Sequence, residues 1–417
     1  MKTAIASDSH TRIMPPEINH RAHPENWKIA PHVLSLETSI IREILKISSQ
    51  PGVISFAGGL PAPELFPYED VKRISVEVID KYGADALQYS LSRGVTVLRQ
   101  LLAERATERG TASTVDNILV TTGAQQGIEL LARAFIDPGD FVLVENPTYL
   151  GALQAFNYYQ ARYVTVEMDD EGMIVDRVEA LLKKYKPKLI YIISNFQNPT
   201  GITMSLQRRR DLVDVAIKYN VPVVDDNPYG EIRFSGQRIP TIKSYGGDSV
   251  IALRTFSKVI APGLRIGWMN GPAAVMSQFE KVKQCTDLHT NSNSQYLVYE
   301  FVKQGLLEPH IEKIKADYFN KRNVMLKALE DYFPEGIKWT KPNGGLFLWL
   351  ELPKKMSAKE LFPKAIEMKV AYVPGGPFFA LGGGDNTLRM NFSTASPEII
   401  VEGIKRLGKL FKDNYIS

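Results

Sequence analysis

The chain has 417 residues, 44% of them hydrophobic and 23% charged, with a formal net charge of +4. That length and composition suit a soluble globular protein with more than one packed core, and the small, dispersed charge leaves no footprint for nucleic acid. A single cysteine, Cys285, excludes an intramolecular disulfide and fits a reducing compartment; six scattered histidines offer no metal-ligand spacing. Cys285 is expected to be buried and inert. Lys2 is followed by no apolar core, so a signal peptide is not expected; no apolar run reaches the length of a bilayer span, and a cytoplasmic location is expected.

Residues 1 to about 30 are polar, contain Pro15, Pro16 and Pro24, and read as an irregular arm. Ser39-Ile-Ile-Arg42-Glu-Ile-Leu-Lys is short and helical in pattern. Val53–Ala57 leads into Gly58-Gly59-Leu60-Pro61. The middle of the chain then alternates strand and helix signals. Ile118–Thr122 predicts a strand, followed by a helical stripe at Ile128, Leu131, Ala132 and Phe135. Asp137-Pro-Gly-Asp140 predicts a turn, and Phe141–Val144 a second strand. Leu189–Ile193 is an unbroken apolar run, as in a strand covered on both faces. Ser205 is placed to cap a helix running to about Tyr219, with Arg208-Arg209-Arg210 as its solvated face. Val221–Val224 and Val250–Leu253 predict further strands. Such alternation points to an α/β domain with a mostly parallel sheet. After residue 300 come two long charged helical segments, about 309–331 and 396–412. Short strands at Leu346–Leu350 and Val370–Val373 lie between them, which suggests a smaller α+β domain.

In open α/β sheets, ligands gather at the carboxyl ends of strands, so the polar residues after each strand are the candidates. Gly123-Ala124-Gln125-Gln126-Gly127 opens a helix whose free N–H groups and dipole suit an anion, although a glycine there also serves as a simple turn. Asn195-Phe-Gln-Asn198-Pro199-Thr200-Gly201 is either a structural loop or a loop that points the Asn198 amide at a ligand. Asp225-Asp226-Asn227-Pro228-Tyr229 could bind a metal, cap a helix, or pair a carboxylate with a cationic ring nitrogen. Arg254-Thr255-Phe256-Ser257-Lys258, followed by Gly263-Leu-Arg265-Ile-Gly267, suits a lysine held in a site with hydroxyls and an arginine on a phosphate.

Taken in order, Thr255–Lys258 with Gly263–Gly267, Asn198-Pro-Thr-Gly201, Asp226-Asn-Pro-Tyr229 and Leu388-Arg389-Met-Asn391 resemble the fold type I aminotransferases, over essentially the whole chain. Gly58–Pro67, Asp287-Leu-His-Thr290 and Val373–Phe379 bring the resemblance closest to the 2-aminoadipate and aromatic or kynurenine-type aminotransferases. The resemblance implies the α/β fold of the type I pyridoxal-phosphate-dependent transferases. In that fold a large domain has a mostly parallel seven-stranded sheet and a smaller α+β domain accompanies it. The expected division is an arm and part of the small domain in residues 1–57, the large cofactor-binding domain in 58–300, and the C-terminal small domain in 301–417.

By the same resemblance, Lys258 carries pyridoxal 5'-phosphate covalently and moves a proton at the substrate. Asp226 faces the pyridine nitrogen and keeps it protonated. Asn198 and Tyr229 hold the ring oxygen, and Tyr149 stacks on the ring. Ala124 and Gln125, Thr255, Ser257 and Arg265 hold the phosphate. Ala124 stands where the family often has serine, so only its backbone N–H carries over. Tyr89 matches a tyrosine that reaches the phosphate of a neighbouring subunit, which implies a homodimer with shared active sites. Arg389 matches the arginine that binds the substrate α-carboxylate, and Gly59 lies in a segment that covers the substrate. Arg42 stands where related enzymes place an arginine for a distal carboxylate; its plain reading is an exposed helix residue. The expected reaction is amino transfer between 2-oxoglutarate and an L-amino acid: 2-aminoadipate, an aromatic or a branched-chain one. A lyase on the same fold would also need Lys258 and Asp226. A non-catalytic effector fused to a DNA-binding helix pair fits poorly, since the polar arm lacks a basic two-helix pattern. A nicotinamide fingerprint after an early strand is missing.

Overall fold

A computed structural model describes residues 27–34, 36, 44 and 50–415. The chain divides into two compact units, Met1–Ser35 and Leu36–Ser417. In the first, Pro31–Leu34 forms one helical turn that buries no side chain. The helix expected at 39–46, with Arg42, lies outside the described residues except for Ile44, which is buried.

The second unit is built on β1 (Ile54–Ser55), β2 (Ile118–Thr122), β3 (Phe141–Asn146), β4 (Arg162–Asp169), β5 (Gly172–Met173), β6 (Leu189–Ile192), β7 (Val223–Asp226), β8 (Val250–Thr255) and β9 (Ile266–Asn270). Eight of these make one sheet in the order β2-β9-β8-β7-β6-β3-β4-β5. The four pairings from β8 through β4 are parallel; β9 runs against both β2 and β8, and β5 against β4. The sheet therefore has eight strands where seven were expected, the extra one being the two-residue β5 at the edge. Strands β6 and β7 are buried at every position, as their apolar runs require of central strands. Strand β4, next to the edge, alternates buried Val164 and Val166 with half-buried Tyr163 and Thr165 and exposed Glu167, and sequence reading missed it.

The helix Ala124–Phe135 buries Ile128, Leu131 and Ala132 along the predicted stripe. The helix Leu206–Tyr219 starts where expected, with the Ser205 hydroxyl accepting the Arg208 N–H. The arginine run inside it corrects the solvated-face reading. Arg208 pairs with Asp169, but Arg209 is fully buried and donates to the carbonyls of Met204, Pro240 and Ser194 and to the Asn195 amide oxygen. Three consecutive helical residues sweep about 200° of azimuth, so they cannot all face water on a helix packed against a sheet. Cys285 is exposed, not buried as expected.

Toward the C-terminus come β10 (Lys338–Trp339), β11 (Phe347–Glu351), β12 (Val370–Ala371), β13 (Val373–Pro374) and β14 (Thr387–Asn391). An antiparallel sheet runs β10-β11-β14-β13, while β1 pairs in parallel with β12. The single strand expected at 370–373 is thus two short ones in different sheets. Between them Tyr372 is fully buried, with its hydroxyl on the Ala358 carbonyl at 2.7 Å. The helices Leu307–Tyr332 and Pro397–Asp413 pack against each other. The backbone N–H of Phe56 donates to the Ala371 carbonyl, and Asn391 N–H donates to the Phe56 carbonyl. These bonds bring Ala57–Leu60 beside β14.

Candidate active site

The parallel strands finish on one side of the sheet. Cross-strand register sets Asp226 beside Leu253, Thr255 beside Gly267, and Thr122 beside Ile266. The loops that follow these strand ends lie on that side.

One wall is suited to an anion. Gly123 has φ +75°, which favours glycine, and a Cβ there would lie 2.3 Å from Arg265 Nη2 and displace the guanidinium. The helix begins at Ala124 with its first N–H groups unused within the helix. The Arg265 guanidinium donates to the carbonyls of Thr122 and Pro262, both at 3.2 Å. The Thr255 and Ser257 hydroxyls are 2.9 Å apart, and Ser257 N–H donates to Thr255 Oγ1. A helix N-terminus, an exposed guanidinium and two hydroxyls together can hold a dianion.

Lys258 follows β8. Its Nζ donates to the Gly59 carbonyl at 2.7 Å. Burial, then the Arg389 and Arg265 charges, hold its amine down to about 8. Asp226 ends β7 and is almost fully buried. Its Oδ2 accepts the Tyr191 hydroxyl at 2.7 Å, while Oδ1 is buried without a hydrogen-bond partner. Burial pushes this carboxyl up to about 7, although the Tyr191 hydrogen bond opposes the shift. A half-satisfied buried carboxyl is ready to accept from a cationic N–H.

Arg389, on β14, is also buried. It donates from Nη1 to Asn198 Oδ1 and from Nη2 to the Ala57 carbonyl, each at 2.8 Å; its Nε has no partner. The guanidinium lies 4.2 Å from the Phe347 ring centroid and 5.2 Å from that of Phe378. No carboxylate among the described residues forms an ion pair with it. Burial holds its acidity at about 10, unusually low for arginine. A buried, aromatic-flanked and uncompensated guanidinium is a receptor for a carboxylate. Tyr229 lies beside Asn198 and Tyr149, and burial drives its phenol far up. Tyr149 is pushed up to about 12 by burial, then by the Asp226 charge.

The structure thus gathers Lys258, Asp226, Asn198, Tyr229, Tyr149, Arg389, Gly59, Thr255, Ser257 and Arg265 around one space. The Gln125 side chain is exposed and donates to the Gly151 carbonyl, leaving its backbone at the helix start. Tyr89 stands 78% exposed, with its ring edge-on to His289, and makes no bond to this site within the chain. Arg42 lies outside the described residues.

Sequence reading missed three supporting groups. Tyr191 carries a hydroxyl in the middle of the apolar strand β6, and that hydroxyl meets Asp226. Glu145 is buried and pushed up to about 8 by desolvation. It accepts from Ile193 N–H and Gln197, and Gln197 also binds the Pro147 carbonyl and Thr200, which ties the turn before Tyr149 to the Asn198 loop. Lys283 donates to Asp287 and Gln126, and Asp287 also accepts from Thr122 and Gln126, which braces the β2–helix junction from below. A polar side chain inside an apolar run was the available signal for Tyr191; its partner is 35 residues away.

A family model described as aminotransferase class I and II matches residues 66–407. The chain is 47% identical over 388 residues to aromatic-amino-acid aminotransferase 1 of Thermococcus litoralis, covering 91% of this chain and 93% of that one. It is 42% identical over 381 residues to the 2-aminoadipate transaminase of Thermus thermophilus, covering 90% and 94%. The crystal structure of Pyrococcus horikoshii kynurenine aminotransferase, in complex with PMP, superposes with a TM-score of 0.90 at 44% identity, covering 93% of this chain and 98% of that one.

Proposed function

The chain belongs to the class I and II aminotransferase family and is a pyridoxal-phosphate-dependent transaminase; on that premise we propose that it exchanges an amino group between glutamate/2-oxoglutarate and a second L-amino acid that is 2-aminoadipate, aromatic or branched-chain. The observation that carries the site assignment is a pair of incomplete buried charges, Asp226 with its free Oδ1 and Arg389 with no carboxylate, together with a buried Lys258 whose amine feels Arg389.

The residues present fit the cofactor. Asp226 Oδ1 is an orphaned buried acceptor that a protonated ring nitrogen would satisfy. Asn198 and Tyr229 would hold the ring oxygen, Tyr149 the ring face, and the backbone of Ala124 and Gln125 with Thr255, Ser257 and Arg265 the phosphate. Tyr89, exposed in this chain, would reach the phosphate of a second copy in a homodimer. When bound, pyridoxal phosphate supplies a ring that accepts the electron pair left at the substrate Cα.

The protein's own groups divide the rest of the work. Arg389 binds the substrate α-carboxylate through its guanidinium fork, oriented by Asn198 and the Ala57 carbonyl. Lys258, with its amine held near 8, exists partly as the free base at neutral pH and takes the proton from the substrate Cα. It delivers that proton to the carbon on the far side of the amino nitrogen, two bonds from Cα, and water then releases the 2-oxo acid, which completes one half of the exchange. Asp226 stays ionised against the ring nitrogen, because a cationic partner offsets the desolvation that otherwise raises it. Gly59, whose carbonyl receives Lys258, lies in the segment that closes over the substrate. Arg42 is assigned to the distal carboxylate of glutamate or 2-aminoadipate, in keeping with the name of the Thermus relative.

An absorption spectrum of the purified protein before and after glutamate tests this reading. A lysine-dependent band, missing in Lys258→Ala and shifted by glutamate, is expected. A band that ignores every amino donor would replace transamination by another chemistry on the same fold. In a donor screen, Arg42→Ala should weaken glutamate and 2-aminoadipate while sparing aromatic donors. Equal loss for all donors would remove Arg42 from that role.

A further inference from the structure

The helix Ala124–Phe135 covers the sheet face that carries Leu253 and Met269, since a Cβ on Gly127 would touch both. Alternate residues of the same strands, Ala252 and Arg254 on β8 with Trp268 and Asn270 on β9, point to the other face. There they line a cavity of about 390 Å³. The end of the helix Thr96–Glu108, the segment 230–243 and the start of the helix Leu307–Tyr332 close it. Lys258, Asp226, Asn198, Tyr229 and Arg389 take no part in it.

Seven cationic side chains and three carboxylates line this space. Some are matched. Arg105 and Arg109 share Glu231 and Glu308, and Lys315 pairs with Glu312. Arg254 lies 3.6 Å from Asp225, which sits behind the wall. Three cations remain without a carboxylate among the described residues. Lys243 is 5% exposed and donates only to the carbonyls of Gly247 and Val250. Arg233 lies over the Phe196 ring at 4.7 Å. Arg238 makes neither an ion pair nor a hydrogen bond among the described residues. Burial and the repulsion of Arg105, Arg238 and Arg254 depress Arg109 to about 10, so like charge is crowded here.

We propose that this cavity binds a small oxyanion carrying two or more negative charges, of the phosphate or polycarboxylate kind, at a site separate from catalysis. Surplus positive charge in a concave, low-dielectric wall focuses potential on its centre. Guanidinium groups match paired oxygens, and a multivalent anion removes the repulsion that the unmatched cations impose on one another. The cavity volume lies in the range of small-molecule sites and far exceeds the share of one water.

The test uses the holoenzyme loaded with cofactor, so that the phosphate cradle of the catalytic site is filled. Pyrophosphate and citrate are titrated calorimetrically at low ionic strength into the native enzyme, Arg238→Glu, Arg233→Gln and Arg389→Lys. One saturable site per chain is expected for at least one probe, weakened tenfold or more in Arg238→Glu and in Arg233→Gln and unchanged in Arg389→Lys. Tighter pyrophosphate assigns a phosphate ligand; tighter citrate assigns a polycarboxylate. Arg238 is exposed, so unchanged transamination in Arg238→Glu separates lost binding from lost folding. No saturable heat with either probe, or binding that survives Arg238→Glu and vanishes in Arg389→Lys, would overturn the proposal.

Discussion

Two buried cations, Lys283 and Arg389, are treated in opposite ways. Lys283 has no exposed side-chain area and is fully matched: three donations reach Asp287 and Gln126, at 2.7 to 2.9 Å. Arg389 is as deeply buried, yet it has one amide oxygen, one backbone carbonyl, two aromatic faces and an idle Nε. The first arrangement returns the cost of desolvation within the protein. The second leaves the guanidinium without a carboxylate among the described residues. On the proposed reading, charge that serves the fold is paired in the chain, and charge that serves a ligand is left unpaired. Asp226 obeys the same rule with the opposite sign.

Substitutions should therefore separate activity from stability. The largest effect is expected at Lys258→Ala: transamination should drop by about 10³-fold or more with the lysine-dependent band, while thermal unfolding barely changes. Next, Arg389→Lys keeps the charge but loses the fork; kcat/KM for amino acids should fall by about 10- to 100-fold without loss of melting temperature. A large drop in stability there would mean that Arg389 is matched like Lys283.

Asp287→Asn should show the reverse. It leaves Lys283 buried without its counter-charge, and since Asp287 is partly exposed, a loss of about 2 kcal/mol in urea unfolding is expected. The cofactor affinity should weaken only through the displaced β2–helix junction.

The last effect concerns pH. Asp226 is raised from 3.8 to about 7 in the cofactor-free fold. Between those values the folded state holds a proton that the unfolded chain has released, so this group's stabilisation is complete below pH 3.8 and is lost as pH rises through 7. Urea unfolding of the cofactor-free protein should show that decline, and Asp226→Asn should flatten it. Tyr191→Phe removes a hydrogen bond to the carboxylate and should carry the decline to higher pH, by up to about one unit. An unchanged profile in both variants would shift the titration to another buried carboxyl such as Glu145.

Much of this site was legible before the fold was known, because its residues follow strands directly. Thr255–Lys258 after β8, Asp226–Tyr229 after β7 and Gly123–Gln125 after β2 are local patterns, and a parallel sheet places the ends of its strands together. Strand β4 escaped because a near-edge strand is half polar. Arg209 was misread because a run of like charge does not say which member of a helical turn faces the sheet.

The sequence by itself determined the α/β alternation, the family and the candidate residues of the site, since each rests on short-range order: strand, turn, cap and the side chain that follows. Only the tertiary structure decided that Asn198 would hold Arg389 across 191 positions, that Tyr191 would meet Asp226, and that two lysines and five arginines would surround one cavity behind the sheet. The physical reason is that pairing of buried charge depends on which side chains share a space after packing, and no local pattern records which partners are missing.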